Sequence, residues 1–72
     1  MRKKILRLIE ETLNLGEGTL NEKTVIDEVE GWDSLAYVLI IGDMESSLGI
    51  SIPLDEAAQV TTIEELFEKA GV

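Results

Sequence analysis

Seventy-two residues are enough for one small domain and little more. With no cysteine and no histidine, disulfides, thiolate metal sites, a thiol nucleophile and the usual general base are excluded. A self-sufficient enzyme is not expected, nor is a metal site, and any sulfur chemistry must arrive on an attached group. Six basic residues against fifteen acidic ones give a net charge of −9, and Arg2, Lys3, Lys4 and Arg7 crowd into the first seven positions. Beyond them only Lys23 and Lys69 stand against all fifteen acids. Such a surface repels nucleic acid and anionic membranes and steers toward basic protein patches, although acidity also simply aids solubility.

Residues 1–9 mimic the start of a signal peptide, yet Arg7, Glu10 and Glu11 interrupt any apolar core. No run nears the ~18 apolar residues of a membrane helix. Neither a targeting segment nor membrane insertion is expected, and the cytoplasm is the expected location.

The spacing of Ile5, Leu8, Ile9 and Leu13, widened by Leu6 and Leu15, predicts a first helix over 3–15, with Gly16 and Gly18 as its stop. Its basic first turn opposes the helix dipole, so that end is expected to fray or to meet a partner. Residues 16–32 read as a long polar loop anchored by Leu20, Val25, Ile26, Val29 and Trp32, and a loop of that length in a small domain points to function. The segment Asp27-Glu28-Val29-Glu30-Gly31 lacks the alternating oxygen ligands and closing glutamate of a calcium loop, which removes that reading.

Asp33 is a good N-cap and opens a second helix over 34–48, closed by Gly49. Ser34 then falls in the first turn, its hydroxyl near the positive end of the dipole, where a phosphate ester would be favoured. On cap statistics alone an Asp-Ser pair is far more often a plain cap, so the rest of the chain has to decide. One face of this helix gathers Tyr37, Ile40, Ile41, Met44 and Leu48, a core face. The opposite side holds Leu35, Val38, Leu39 and Gly42, flanked by Ala36, Asp43, Glu45 and Ser46. A helix apolar on both sides is either wholly buried or carries a partner site, and complete burial is hard in so short a chain. A partner site is therefore the expectation. Gly42 costs ~1 kcal/mol relative to alanine in a helix interior, and either lets another chain approach closely or is simply tolerated.

The stretch Ile50-Ser51-Ile52-Pro53 reads as an extended link into a short third helix at about 54–59, with Pro53 where a missing N–H does no harm. Both Thr61-x-x-Glu64 and Thr62-x-x-Glu65 fit a capping box at the start of a fourth helix. Along it Ile63, Leu66, Phe67 and Ala70 form an apolar stripe that Gly71 ends. A strand over 38–41 finds no partner. The expectation is an all-α fold: a single domain over residues 1–72, built as a small four-helix bundle of three main helices and one short one.

In this order, Asp33-Ser34-Leu35, then Leu48-Gly49-Ile50-Ser51-Ile52-Pro53, then Glu56-Ala57 and Val60-Thr61-Thr62-Ile63, the sequence resembles the acyl carrier protein family with its peptidyl carrier relatives. The resemblance spans roughly residues 5–70, and its separations match the bacterial fatty-acid type without a gap. Asp-Ser-Leu alone is a weak signal. With Ile-Pro and Thr-Thr at these distances, in an acidic chain lacking cysteine, it is a strong one. The resemblance implies that Ser34, with Asp33 and Leu35 beside it, is the attachment site of 4′-phosphopantetheine. A phosphopantetheinyl transferase would direct Ser34 Oγ at the pyrophosphate of coenzyme A, since no residue of this chain activates the hydroxyl. Acyl groups would then ride on the arm's thiol as thioesters while acyl-loading and acyl-processing enzymes do the chemistry.

The resemblance also implies docking to those enzymes at Ala36, Val38, Leu39, Gly42, Asp43, Glu45, Asp55 and Glu56. It implies shelter for an acyl chain among Ile40, Met44, Ile52, Ala57, Val60 and Leu66, residues that ordinary packing accounts for equally well. Positions commonly acidic in the family hold Ala36, Leu39, Ser46 and Ser47 here, which implies partners with more apolar surfaces than the fatty-acid synthesis enzymes present. Gly31-Trp32-Asp33-Ser34-Leu35 points the same way, toward specialised pathways, and Trp32 reads as a loop anchor rather than an arm contact. The expectation is a cytoplasmic, stand-alone, monomeric carrier of fatty-acid, polyketide or other specialised biosynthesis, and not an enzyme. Two alternatives stay open: an aminoacyl or peptidyl carrier loaded by an adenylating enzyme, and an unmodified acidic helical interaction module in which Ser34 only caps a helix.

Overall fold

Four segments, three of them with apolar residues at helical spacing, become helices in the computed structural model, which describes all of residues 1–72. In chain order they are α1 (Arg2–Thr12), α2 (Ser34–Leu48), α3 (Leu54–Ala57) and α4 (Ile63–Ala70), with a single 3-10 turn at Ile26–Glu28 between the first two. The expected all-α bundle of three main helices and one short one is the fold observed. Helix α1 lies along α2, and α3 lies against α4. Ile5 and Ile9 of α1, Ile40 and Met44 of α2, Ala57 of α3, and Ile63, Leu66 and Phe67 of α4 meet in one core without solvent exposure.

Helix α1 stops at Thr12, three residues before the end that the spacing suggested. Leu13 is its C-cap, Asn14 takes the left-handed conformation at φ 60°, and the Leu15 N–H returns to the Glu10 carbonyl at 2.7 Å. Asparagine tolerates that conformation better than most residues with a Cβ, so it makes the stop that the sequence had suggested for Gly16 and Gly18. The basic first turn is not left to fray. The Arg2 guanidinium pairs with Glu22 at 2.8 Å and Glu64 at 2.9 Å, donates to the Val72 carbonyl at 2.9 Å, and sits 5.0 Å from the Phe67 ring centroid. Lys3 and Lys4 remain exposed.

The long segment between α1 and α2 is tied down at both ends rather than loose. The buried Glu10 carboxylate accepts from the Leu20 N–H at 2.9 Å and from Arg7 Nη1 at 3.2 Å. Burial works against that charge, but the Leu20 and Gly18 amides and the Arg7 guanidinium together outweigh it and hold the carboxyl below its ordinary value. Further on, Val25 and Thr62 form an isolated antiparallel bridge, flanked by Ile26 N–H to Thr61 O at 2.9 Å and Ile63 N–H to Thr24 O at 3.1 Å. Leu20, Ile26 and Trp32 join the core and Val29 packs against it, as anchors should, whereas Val25 is held by its bridge to Thr62 instead of by the core.

Helix α3 is shorter than expected, ending at Ala57 instead of 59. The Gln59 and Val60 N–H groups reach back three residues, to Glu56 O at 3.1 Å and Ala57 O at 3.3 Å, which tightens the last turn. Of the two possible capping boxes at α4, the one on Thr62 forms: its hydroxyl accepts from the Glu65 N–H at 3.3 Å, and Glu65 Oε1 accepts from Thr62 N–H at 3.1 Å. The same oxygen takes the Thr61 N–H at 2.6 Å. These two backbone donors lower the Glu65 pKa. Gly49 and Gly71 end α2 and α4 in the left-handed conformation, at φ 69° and 76°, as the sequence predicts.

Candidate functional site

Asp33 brings the chain into α2 with extended backbone, φ −100° and ψ −173°. Its Oδ1 accepts the Ala36 N–H at 2.8 Å, and its carbonyl takes the Tyr37 N–H at 2.9 Å. This is the N-cap that the sequence predicts, and it satisfies one orphan donor of the first turn. The Ser34 and Leu35 amides precede the helical bonding pattern and have no acceptor in it. Ser34 is the first helical residue and is exposed, and Asp33 rather than Ser34 supplies the cap. An open hydroxyl, two free N–H groups and the positive end of a 15-residue helix fit a phosphodiester well. The Asp33 charge has the same sign as a phosphate, but one of its oxygens is committed to Ala36 and solvent screens the rest.

The model of the phosphopantetheine attachment site family matches residues 3–69. The chain belongs to that family. It is accordingly a non-catalytic carrier domain for covalently attached 4′-phosphopantetheine, and works with the enzymes that modify it and handle its cargo. No solved structure gives a significant match. No helix of the carrier is long and apolar enough to cross a membrane.

The outward face of α2 is apolar in the fold as in the sequence. Leu35, Val38 and Leu39 are 71, 48 and 54% exposed, Gly42 is open to solvent, and a Cβ built on it meets nothing within 4 Å. Ala36 is the exception, and its expected place on the docking face is corrected. It is buried, because it heads the i, i+4 row that continues through Ile40 and Met44 into the core. The expected docking acids are all exposed but differ in their surroundings. Asp43 accepts from Thr12 Oγ1 at 3.4 Å, at the border with α1. Glu45 takes the Ser51 hydroxyl at 3.5 Å, Glu56 pairs with Lys69 at 3.5 Å, and no ion pair engages Asp55. Sequence reasoning missed Leu54, an exposed large apolar residue at the start of α3. The signal was there: its i+3 and i+4 neighbours are Ala57 and Ala58, too small to build a stripe with it.

Of the six residues read as an acyl shelter, Ile40, Met44, Ala57 and Leu66 have no exposure, Ile52 is buried and Val60 is half-buried. They are brought together as a closed core, and none of them lines the three main surface clefts. Trp32 is buried beside the attachment segment and meets the Tyr37 ring edge-on, with centroids 5.4 Å apart and planes at 73°. Its indole Nε1 has no hydrogen-bond partner. The Tyr37 hydroxyl donates to the Ala57 carbonyl at 2.7 Å. Burial, with a smaller push from Asp27, raises its pKa to about 12, so it stays a donor.

Proposed function

We propose that the chain is an acyl carrier protein whose Ser34 hydroxyl bears the 4′-phosphopantetheine arm. The observation that carries this reading is the exposed Ser34 at the start of α2, within the span of the family match. When bound, the arm supplies a terminal thiol on which cargo is held as a thioester. The residues of the chain hold and present it. Asp33 fixes the first turn through the Ala36 N–H, and the free Ser34 and Leu35 amides offset the charge of the phosphodiester.

Docking to the transferase and to acyl-loading and acyl-processing enzymes falls to Leu35, Val38, Leu39 and Gly42, with Leu54 added, and to Asp43, Glu45, Asp55 and Glu56 around them. Each of the large apolar residues contributes ~1.5–3 kcal/mol when fully desolvated. A strip of this kind suits partners with apolar surfaces, which supports a role in a specialised acyl pathway rather than in fatty-acid synthesis. The 72 residues act as one domain, a monomer in the cytoplasm. Ile40, Met44, Ile52, Ala57, Val60 and Leu66 form the site where an acyl chain is sheltered. The closed packing of those residues supports a second reading, an aminoacyl or peptidyl cargo that is polar and stays outside.

Intact-mass measurement after incubation with coenzyme A and a broad-specificity phosphopantetheinyl transferase tests the assignment. The parent gains one arm and Ser34→Ala gains none. A folded parent that gains nothing returns the chain to the unmodified interaction module, with Ser34 in the first turn only as part of a capped helix.

A further inference from the structure

Helix α3 is a single turn of four residues, too short to hold itself together. Leu54, Asp55 and Glu56 face solvent and only Ala57 is buried. Two side-chain polar contacts tie it to other helices. One is the exposed Lys69–Glu56 pair at 3.5 Å, of a kind that contributes little. The other is the 2.7 Å bond from the half-buried Tyr37 hydroxyl to the Ala57 carbonyl. Tyr37 lies on the core face of α2 with Ile40 and Met44 above it, one turn along the helix from Ser34. The edge-on contact with Trp32 braces its ring.

We propose that Tyr37 is the bolt that holds α3 shut, and that cargo enters the core only when its bond to Ala57 is broken. The cargo role rests on the carrier reading above, and the bolt does not. Because Ala57 has no exposure, lifting α3 uncovers the interior. The seam that opens begins one turn from the attachment hydroxyl. A carrier bolted in this way keeps cargo outside by default and admits it at a cost set by one side chain.

The first arm of the test uses the unmodified protein, so it does not depend on Ser34 chemistry. In Tyr37→Phe, amide exchange at Ala57 and Ala58 speeds up about fivefold, the factor expected for one lost hydrogen bond, while the α1 amides are unchanged. The fluorescence of Trp32, the sole tryptophan, shifts with it. Lys69→Met leaves α3 exchange as in the parent. Equal exchange in Tyr37→Phe and parent overturns the bolt. The second arm compares acetyl- and octanoyl-phosphopantetheinyl forms of both proteins. The longer chain raises the melting temperature more in Tyr37→Phe than in the parent, because no bond has to be broken first. Equal gains overturn the control of cargo entry. Failure of the parent to accept an arm at all overturns the carrier reading and the cargo role with it, while the exchange arm still judges the bolt.

Discussion

Helices α4 and α2 follow opposite rules. Helix α4 has a full capping box, Glu64 and Glu65 in its first turn, Lys69 in its last and Gly71 at its end, so all the charges near its termini except Glu68 suit the dipole. Its apolar stripe is wholly buried at Ile63, Leu66 and Phe67, and Arg2 crosses over to its ring and to Glu64. Helix α2 is nearly twice as long, carries no acid in its first turn beyond the cap and no base in its last, and leaves three large apolar residues in water. One helix is arranged for stability. The other gives up part of that stability to present a surface, a pattern common where function requires exposure.

Substitutions on the two helices sharpen the contrast. Phe67→Ala should produce the largest loss, ~3–5 kcal/mol, read as a lower urea midpoint. In a domain this small that is a large share of the total. A Phe67→Ala midpoint close to that of the parent would show that α4 does not carry the fold.

A smaller effect lies at Glu10. Its carboxyl is lowered in the fold relative to an ordinary value of 4.5, so its contribution is complete above that pH and is lost as the pH falls below it toward the folded value. Glu65 acts in the same direction. Glu64 acts in the opposite one: a proton shared with the neighbouring Glu22 carboxyl is favoured and raises its pKa, so its contribution is present at acid pH and lost as the pH rises. Thermal melts should therefore fall off below about pH 4.5, and Glu10→Gln should flatten that acid limb. An unchanged limb would mean that the buried carboxylate does not pin the long loop.

The smallest stability effects belong to the outer face of α2. Gly42→Ala should raise stability by ~1 kcal/mol, since the added Cβ meets open space. Leu39→Glu should leave it within ~0.5 kcal/mol. Both should slow transfer to partner enzymes. Transfer rates equal to the parent for Leu39→Glu with every partner would remove the docking role of the strip.

Much of this was legible in the sequence because it is local. The Asp33 cap, the Gly49 and Gly71 stops, the Thr62 box and the two-sided character of α2 each depend on residues within a turn or two of one another. The misreadings came from contacts distant in sequence or from finer geometry. The end of α1 depends on the left-handed Asn14 and on Glu10 drawing the loop back to Leu20. Ala36 sits at the edge of two faces, and only the packing of Ile40 and Met44 decides which one it joins. The partners of Arg2 lie 20, 62 and 70 residues away, and no pattern in the first turn announces them.

The bond from Arg2 to the Val72 carbonyl, 2.9 Å long, brings residues 2 and 72 to the same corner of the molecule. Topologically the backbone is close to a closed ring, broken at a point that a single side chain spans. The guanidinium that spans it rests on Phe67 and Glu64 of α4. Loss of that side chain, as in Arg2→Ala, would therefore free both ends of the ring at once.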